Sequence, residues 1–261
     1  MVKVMGVLNV TPDSFSDGGR YLDADAAVAH GLALAAAGAD VVDVGGESTR
    51  PGAEPVDEAE ELRRVVPVVA ALAPHVRVSI DTTKPAVAAA AVEAGATMVN
   101  DISASLWPVA AEAGVAWVAM HMRGTPATMQ SMASYDDVVG EVCGFLRERA
   151  DAAVEAGVPE VWVDPGLGFA KTAEHNLSVL RHLRELTALG HPVLVGASRK
   201  SFIGALTGGA PADDRLEGSL AVAVWAAHCG VSMVRVHDVP ETVQAVRLVD
   251  TETDTDTEAA A

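Results

Sequence analysis

The chain has 261 residues, half of them apolar and 21% charged, with a formal net charge of −18 at pH 7. A chain of that size buries roughly 70–75% of its unfolded surface without disulfide or metal staples, and Cys143 and Cys229 are too few for a disulfide framework in any case. The acidic balance excludes a nucleic-acid backbone as partner, because that affinity comes from neutralising phosphates, and no apolar run reaches the ~18 residues of a membrane span or the pattern of a secretory leader, so a cytoplasmic protein is expected.

Along the chain one unit recurs. Residues 4–9 form a β-rich run ending at Asn9, followed by Thr11-Pro-Asp13-Ser-Phe15-Ser-Asp17-Gly-Gly19, a loop of turn formers too long for a simple strand-to-helix turn. Helical periodicity over 24–37 leads into Ala37-Gly38-Ala-Asp-Val-Val-Asp43, and a second long loop, Gly45-Gly-Glu-Ser-Thr49-Arg50-Pro51-Gly52, comes next. Periodicity over 57–73 precedes a strand at 76–81 that ends on Asp81; a helix over 84–93 then precedes Ala94-Gly95 and a run closing on Asn100-Asp101. A short helical segment, 107–113, leads to Ala113-Gly114 and a run through Met120 to His121. A long helix over 135–156 ends in Ala156-Gly157 and a run to Asp164, which opens Asp164-Pro-Gly-Leu-Gly-Phe169-Ala-Lys171. A helix over 172–189, a strand over 192–197 containing Gly196, and Ser198-Arg199-Lys200-Ser201 follow. The last units are a helix over 216–228, Cys229-Gly230 with a run through Arg235 to His237, and a helix over 239–249. The glycines that follow the helices suit the left-handed conformation that closes a last turn.

Near-continuous apolar runs mark strands buried on both faces, as in a parallel sheet. Eight strand–helix units in about 250 residues fit an α/β (β/α)₈ TIM barrel of one domain, residues 1–250, with right-handed crossovers. An open doubly wound sheet is the runner-up, but no Gly-x-Gly-x-x-Gly turn follows the first strand. Residues 251–261, acidic and of low complexity, read as a disordered tail.

In such a barrel the site lies at the carboxyl ends of the strands. Those positions carry Asn9, Asp43, Asp81, Asn100, Asp101, His121, Asp164, Lys200, Arg235 and His237. Any one Asp or Asn there also suits a helix cap; a whole ring of them points to binding. Asp81, Asn100 and Asp164 offer acceptors and an amide for a flat heterocycle with an amidine-like edge, whereas Lys200, Arg235 and His237 gather cations for a phosphate or diphosphate. The chain has only four lysines, Lys3, Lys84, Lys171 and Lys200, and three lie beside Gly- or Pro-rich motifs.

Taken together and in order, Met5–Gly19, Asp43–Gly52, Val78-Ser-Ile-Asp81-Thr, Val99-Asn100-Asp101, Met120-His-Met, Asp164–Thr172, Ser198–Ser201 and Arg235-Val-His-Asp238 resemble the dihydropteroate synthase family over nearly all of the chain up to about residue 250. The resemblance implies a transferase that joins 4-aminobenzoate to 7,8-dihydropterin-6-ylmethyl diphosphate, is inhibited by sulfonamides, uses Mg²⁺ and forms a homodimer. It implies Asp81, Asn100, Asp164 and Lys200 as the catalytic and pterin-binding set, with Met120 and Gly196 beside the pterin. Asn9, Arg50, Arg235 and His237 would take the diphosphate, with Asn9 also on the metal; Phe15, Thr49, Pro51, Phe169, Lys200 and Ser201 would line the aminobenzoate pocket. Asp13 and Asp17 suit either the metal or the turn itself. Three features depart from the family pattern: Ala170 stands where glycine is frequent, Arg123 where glutamine is common, and the segment after Asp101 is short.

Rival readings are a pterin-dependent methyltransferase barrel, a silent pterin-binding paralogue, and an unrelated phosphate-binding aldolase or isomerase. The first two are opposed by the Arg235-x-His237 and Ser-Arg-Lys motifs and by the retained first loop and strand-end acids.

Overall fold

The structure, a computed structural model, describes residues 1–11, 20–49 and 55–250. Eight parallel strands are present: β1 (Lys3–Asn9), β2 (Val41–Gly45), β3 (Arg77–Asp81), β4 (Met98–Asp101), β5 (Ala116–Met120), β6 (Val161–Asp164), β7 (Leu194–Val195) and β8 (Met233–Val236). Their order in the sheet is β6-β5-β4-β3-β2-β1-β8-β7, and a parallel bridge between Val163 and Val193 links the two ends into a ring. This is the (β/α)₈ barrel.

The described helices are α1 (Arg20–Ala36), α2 (Glu58–Leu72), α3 (Pro85–Glu93), α4 (Trp107–Ala113), α5 (Val138–Glu155), α6 (Ala173–Arg181), α7 (Leu183–Thr187), α8 (Ser201–Leu206), α9 (Leu216–His228) and α10 (Val239–Asp250). Caps explain several boundaries. Asp57 accepts from the Ala59 amide at the start of α2, and Asp137 accepts from Gly140 at the start of α5, so α5 begins three residues later than its periodicity suggests. Thr172 and His175 form a reciprocal capping box on α6. The single helix expected over 172–189 is instead two, broken at His182, where φ is −111° and ψ 23°. The short α8 was not expected from periodicity, and β7 is shorter than the run that predicts it. The five glycines that close helices before strands, Gly38, Gly95, Gly114, Gly157 and Gly230, all have positive φ, between 66° and 114°.

Inside the barrel, side chains stack in layers. Met5, Val41, Met98, Ala116, Val118, Trp162, Leu194 and Met233 form a closed apolar cluster separate from the larger core between strands and helices. Moving two residues along each even strand, the period that keeps a side chain on the same face, leads from Val41 to Asp43, from Met98 to Asn100, from Trp162 to Asp164 and from Met233 to Arg235. The dry plug therefore carries a polar layer directly above it, at the carboxyl end.

Candidate active site

Arg235 is the centre of that polar layer. Its Nε donates to Asp43 Oδ2 at 2.6 Å and its Nη2 to Asp81 Oδ2 at 2.8 Å, while Asn100 Nδ2 donates to the same Asp43 oxygen at 3.0 Å. Asp43, Asp81 and Asn100 are all buried. The expected split into an acidic and a cationic sector is thus incomplete. Arg235 starts from β8, but alternate strands of a barrel share one layer, and the long guanidinium reaches across it to β2 and β3. Burial opposes the charge on Arg235, yet Asp43 and Asp81 outweigh it and hold the group above its usual pKa. Burial, with help from the charges of Asp43, Glu61 and Asp101, pushes the Asp81 carboxyl up to about 7 against the pull of Arg235. Oδ1 of both Asp43 and Asp81 is buried with no hydrogen-bond partner among the described residues. A buried bare acceptor is costly, so a ligand that donates to Asp81 Oδ1 removes a deficit.

Asp164 faces the other half of the mouth. Its Oδ1 accepts from the Gly166 amide at 2.7 Å. Burial raises its pKa, opposed by Lys200, the Gly166 N–H, Lys171 and Arg235. Lys200 Nζ donates to the Leu167 carbonyl at 2.5 Å and lies 4.5 Å from the centre of the Phe169 ring. Burial and Arg235 bring Lys200 down to about 8, against Asp164 and Asp81. Met120 and Phe169 share a small apolar cluster with Ile102, Met129 and Ala170. Gly196 leaves room here: a Cβ on it would lie 3.6 Å from Arg235 Cβ and 3.9 Å from Lys200 Nζ.

His237 is fixed by Ser198, whose Oγ meets the His237 backbone N–H at 3.2 Å and Nδ1 at 3.1 Å. Arg199, beside it, turns away to pair with Asp238, so it serves the loop and not the mouth. Asn9 ends β1 next to Gly45, where an added Cβ would lie 3.7 Å from Asp81 Oδ2 and 3.8 Å from Asn9 Oδ1. Ser201 is exposed at the start of α8, and Thr49 is half-buried in the second loop. Phe15, Arg50 and Pro51, with Asp13 and Asp17, lie outside the described residues.

Several residues without a role read from sequence prove to be organisers. Asp43 ties Arg235 to Asn100. Asp101 accepts from the amides of Ser103, Ser105 and Leu106 at 2.7–2.8 Å and from Trp117 Nε1 at 3.2 Å, so it builds the turn before α4 and is not a ligand group. Lys84 pairs with Glu47 in the second loop and with buried Glu61 of α2. Lys3 lies 5.8 Å from the ring centre of Trp162. The composition did single out these lysines, though not their partners.

The profile of the family described as "Pterin binding enzyme" matches residues 5–237. The dihydropteroate synthase of Mycobacterium leprae is 52% identical over 262 residues, covering 95% of this chain and 92% of that protein. That of Escherichia coli K12 is 48% identical over 255 residues, covering 95% and 90%. The chain belongs to the dihydropteroate synthase family. The solved Xanthomonas albilineans dihydropteroate synthase with 4-aminobenzoic acid superposes with a TM-score of 0.90 at 48% identity, over 97% of this chain and 93% of that one. The chain is therefore an enzyme, a transferase, and among the described residues no helix is long and apolar enough to cross a membrane.

Proposed function

We propose that the polar layer and the rim above it catalyse the dihydropteroate synthase condensation with the residue roles that follow. In that reaction 4-aminobenzoate and 7,8-dihydropterin-6-ylmethyl diphosphate give 7,8-dihydropteroate and diphosphate. The observation that carries the assignment is Asp81 Oδ1, a buried acceptor without a partner among the described residues, beside Asn100 and opposite Asp164 at one mouth. A pterin presents N–H donors along one edge and suits this set, with Met120 and the space left by Gly196 accommodating its faces. Asp164, held by the Gly166 amide, would accept from the guanidine-like edge, and its charge favours the positive character that the pterin gains as its exocyclic C–O bond breaks.

The C–O electron pair leaves with diphosphate. Among the described residues Arg235 gives Nε and Nη2 to the carboxylates and keeps Nη1 for that anion, and His237, oriented by Ser198, stands on the same rim. The methylene carbon, stabilised by the electron-rich pterin, accepts the lone pair of the aminobenzoate nitrogen, which then releases a proton to solvent or diphosphate. No protein nucleophile is needed. Phe169 and the Lys200 ammonium above it give an apolar face and a cation to the aminobenzoate, with Thr49, Ser201, Phe15 and Pro51 assigned there, and Arg50 to the diphosphate, by resemblance.

Mg²⁺ fits this donor set in one way. No group of three His, Cys, Asp or Glu side chains that could hold an ion occurs among the described residues, but Mg²⁺ typically takes one or two protein oxygens plus substrate phosphates and waters. The Asn9 amide oxygen would hold it against the diphosphate, where it would neutralise leaving-group charge. Free Cys143 and Cys229 accord with a cytoplasmic location, and Trp225 and Leu248, exposed on α9 and α10, accord with a homodimer through outer helices.

The test is incubation with the dihydropterin diphosphate and Mg²⁺, with and without 4-aminobenzoate. Diphosphate release that depends on aminobenzoate and yields dihydropteroate is expected; pterin binding without any release would overturn the assignment in favour of a silent binding protein.

A further inference from the structure

The turn between β6 and α6, Pro165 to Lys171, contains a buried lysine that the mechanism above leaves unused. Lys171 is only 4% exposed. Its Nζ lies 2.9 Å from His121 Nδ1, 3.1 Å from the Gly166 carbonyl, 3.2 Å from the Phe169 carbonyl and 3.4 Å from the His121 carbonyl. Each of these partners can accept a hydrogen bond, so this amino group is a donor set at the centre of a cage of acceptors. The contact also fixes the His121 tautomer: Nδ1 accepts, which leaves the ring proton on Nε2, and burial with Lys171 and Arg123 lowers the ring to about 3, keeping it neutral.

The same turn is latched from the other side. Buried Asn176 of α6 accepts from the Gly168 amide at 2.7 Å and donates to the Thr172 carbonyl at 2.7 Å. The backbone between the two latches is compressed. Gly166 has φ 65°, and a Cβ there would lie 2.0 Å from the His121 carbonyl oxygen. Ala170 has φ 47°, a left-handed conformation that disfavours any side chain.

Three of the contacts assigned to substrates hang from this short turn: the Gly166 amide that orients Asp164, the Leu167 carbonyl that holds Lys200, and the Phe169 ring beneath Lys200. We propose that Lys171 is a positioning residue for the reaction. By gathering the Gly166, Phe169 and His121 carbonyls around one buried amino group, it holds the turn in the shape that aims Asp164, Phe169 and Lys200 at the two substrates. The proposal rests on the assignment of those three residues given above.

The experiment uses the full-length enzyme and compares Lys171→Met, which keeps length and loses the donors, with Leu72→Ala. Leu72 is fully buried at the C-terminal end of α2, and so at the opposite end of the barrel from the mouth. Both variants lose stability, and they are assayed at a temperature where both remain folded by circular dichroism. The expected result for Lys171→Met is a rise of about tenfold or more in both the pterin Kd and the aminobenzoate KM, with Leu72→Ala within twofold of wild type. His121→Leu, which removes one acceptor and leaves the lysine, shifts both constants the same way by about threefold, and it carries the test if Lys171→Met does not fold. Lys171→Met with substrate constants like those of Leu72→Ala, or an unchanged His121→Leu where Lys171→Met fails to fold, would overturn the proposal while the functional reading stands. A wild-type enzyme that binds no pterin would instead overturn that reading, and this proposal with it.

Discussion

Replacing Arg235 with Met removes the only bridge seen between Asp43 and Asp81 among the described residues, and its cost can be worked from the geometry. Both carboxylates are buried, each has one oxygen without a partner among the described residues, and the two bonds from Arg235 measure 2.6 and 2.8 Å. Breaking a buried pair by deleting one partner costs about 3–5 kcal/mol. The arginine side chain retains 20% exposure, which favours the low end, about 3 kcal/mol. At roughly 2–4 °C per kcal/mol for a chain of this size, Tm falls by about 6–12 °C.

The loss must also depend on pH. In the wild type Asp81 titrates near 7 when folded and near 3.8 as a free side chain, so ionising it costs stability as pH rises between those values and costs nothing further above about 7. Without Arg235 its folded pKa climbs higher still, and the penalty keeps growing above pH 7. One further pH unit adds up to about 1.4 kcal/mol for one proton. Urea unfolding of wild type and Arg235→Met at pH 5.5 and pH 8 measures this directly. The destabilisation should be larger at pH 8 by about 1 kcal/mol. An equal loss at both values, or a loss below about 1 kcal/mol at pH 8, would show that Arg235 does not hold these carboxylates.

The pH–rate profile of kcat/KM should be a narrow bell. Its acid limb belongs to Asp81, which needs to ionise above about 7 to accept from the pterin, and its alkaline limb to Lys200, which loses its charge above about 8; Lys171, brought to about 7 chiefly by burial, titrates in the same window, so the limbs are properties of the set. Lys200→Arg keeps a cation at high pH, and a persisting alkaline limb in that variant would remove Lys200 as its source. Ala170→Gly relieves about 1–2 kcal/mol of left-handed strain at φ 47° and gives back about 0.4–1 kcal/mol through the unfolded chain, a net gain of up to about 1.6 kcal/mol, so Tm should rise by up to about 6 °C; a fall in Tm would mean that the alanine methyl packs better than its backbone is strained.

How much of this was legible in the sequence varies by residue for physical reasons. The strands and their terminal polar residues were readable because a parallel barrel strand is a mostly apolar run, and a single Asp81, Asn100 or Asp164 at or near its end breaks the pattern. The five helix-closing glycines were readable because only a residue without a Cβ enters positive φ cheaply. Where the reading fell short, the cause lies in three dimensions. No Gly or Pro marks the break at His182, where the ring Nδ1 meets the Ser178 carbonyl at 2.7 Å and Leu183 and Leu186 pack into the core. The entanglement of Arg235 with Asp43 spans 192 residues and follows from barrel layers, not from spacing. Asp101 and Asp164 look alike as strand-end acids, yet one is saturated by its own turn and the other takes only the Gly166 amide among the described residues. The cage around Lys171 is assembled from carbonyls, which sequence does not record.

In the proposed reaction one mouth grips two chemically different parts of a single substrate. Calorimetric titration of wild type, Asp164→Ala and His237→Ala with the dihydropterin diphosphate, and with the same pterin bearing a hydroxymethyl group in place of the diphosphate ester, tests it most directly. Asp164→Ala should weaken both ligands by tenfold or more, whereas His237→Ala should weaken only the diphosphate. Equal weakening of both ligands by His237→Ala, or wild-type affinity in Asp164→Ala, would contradict it.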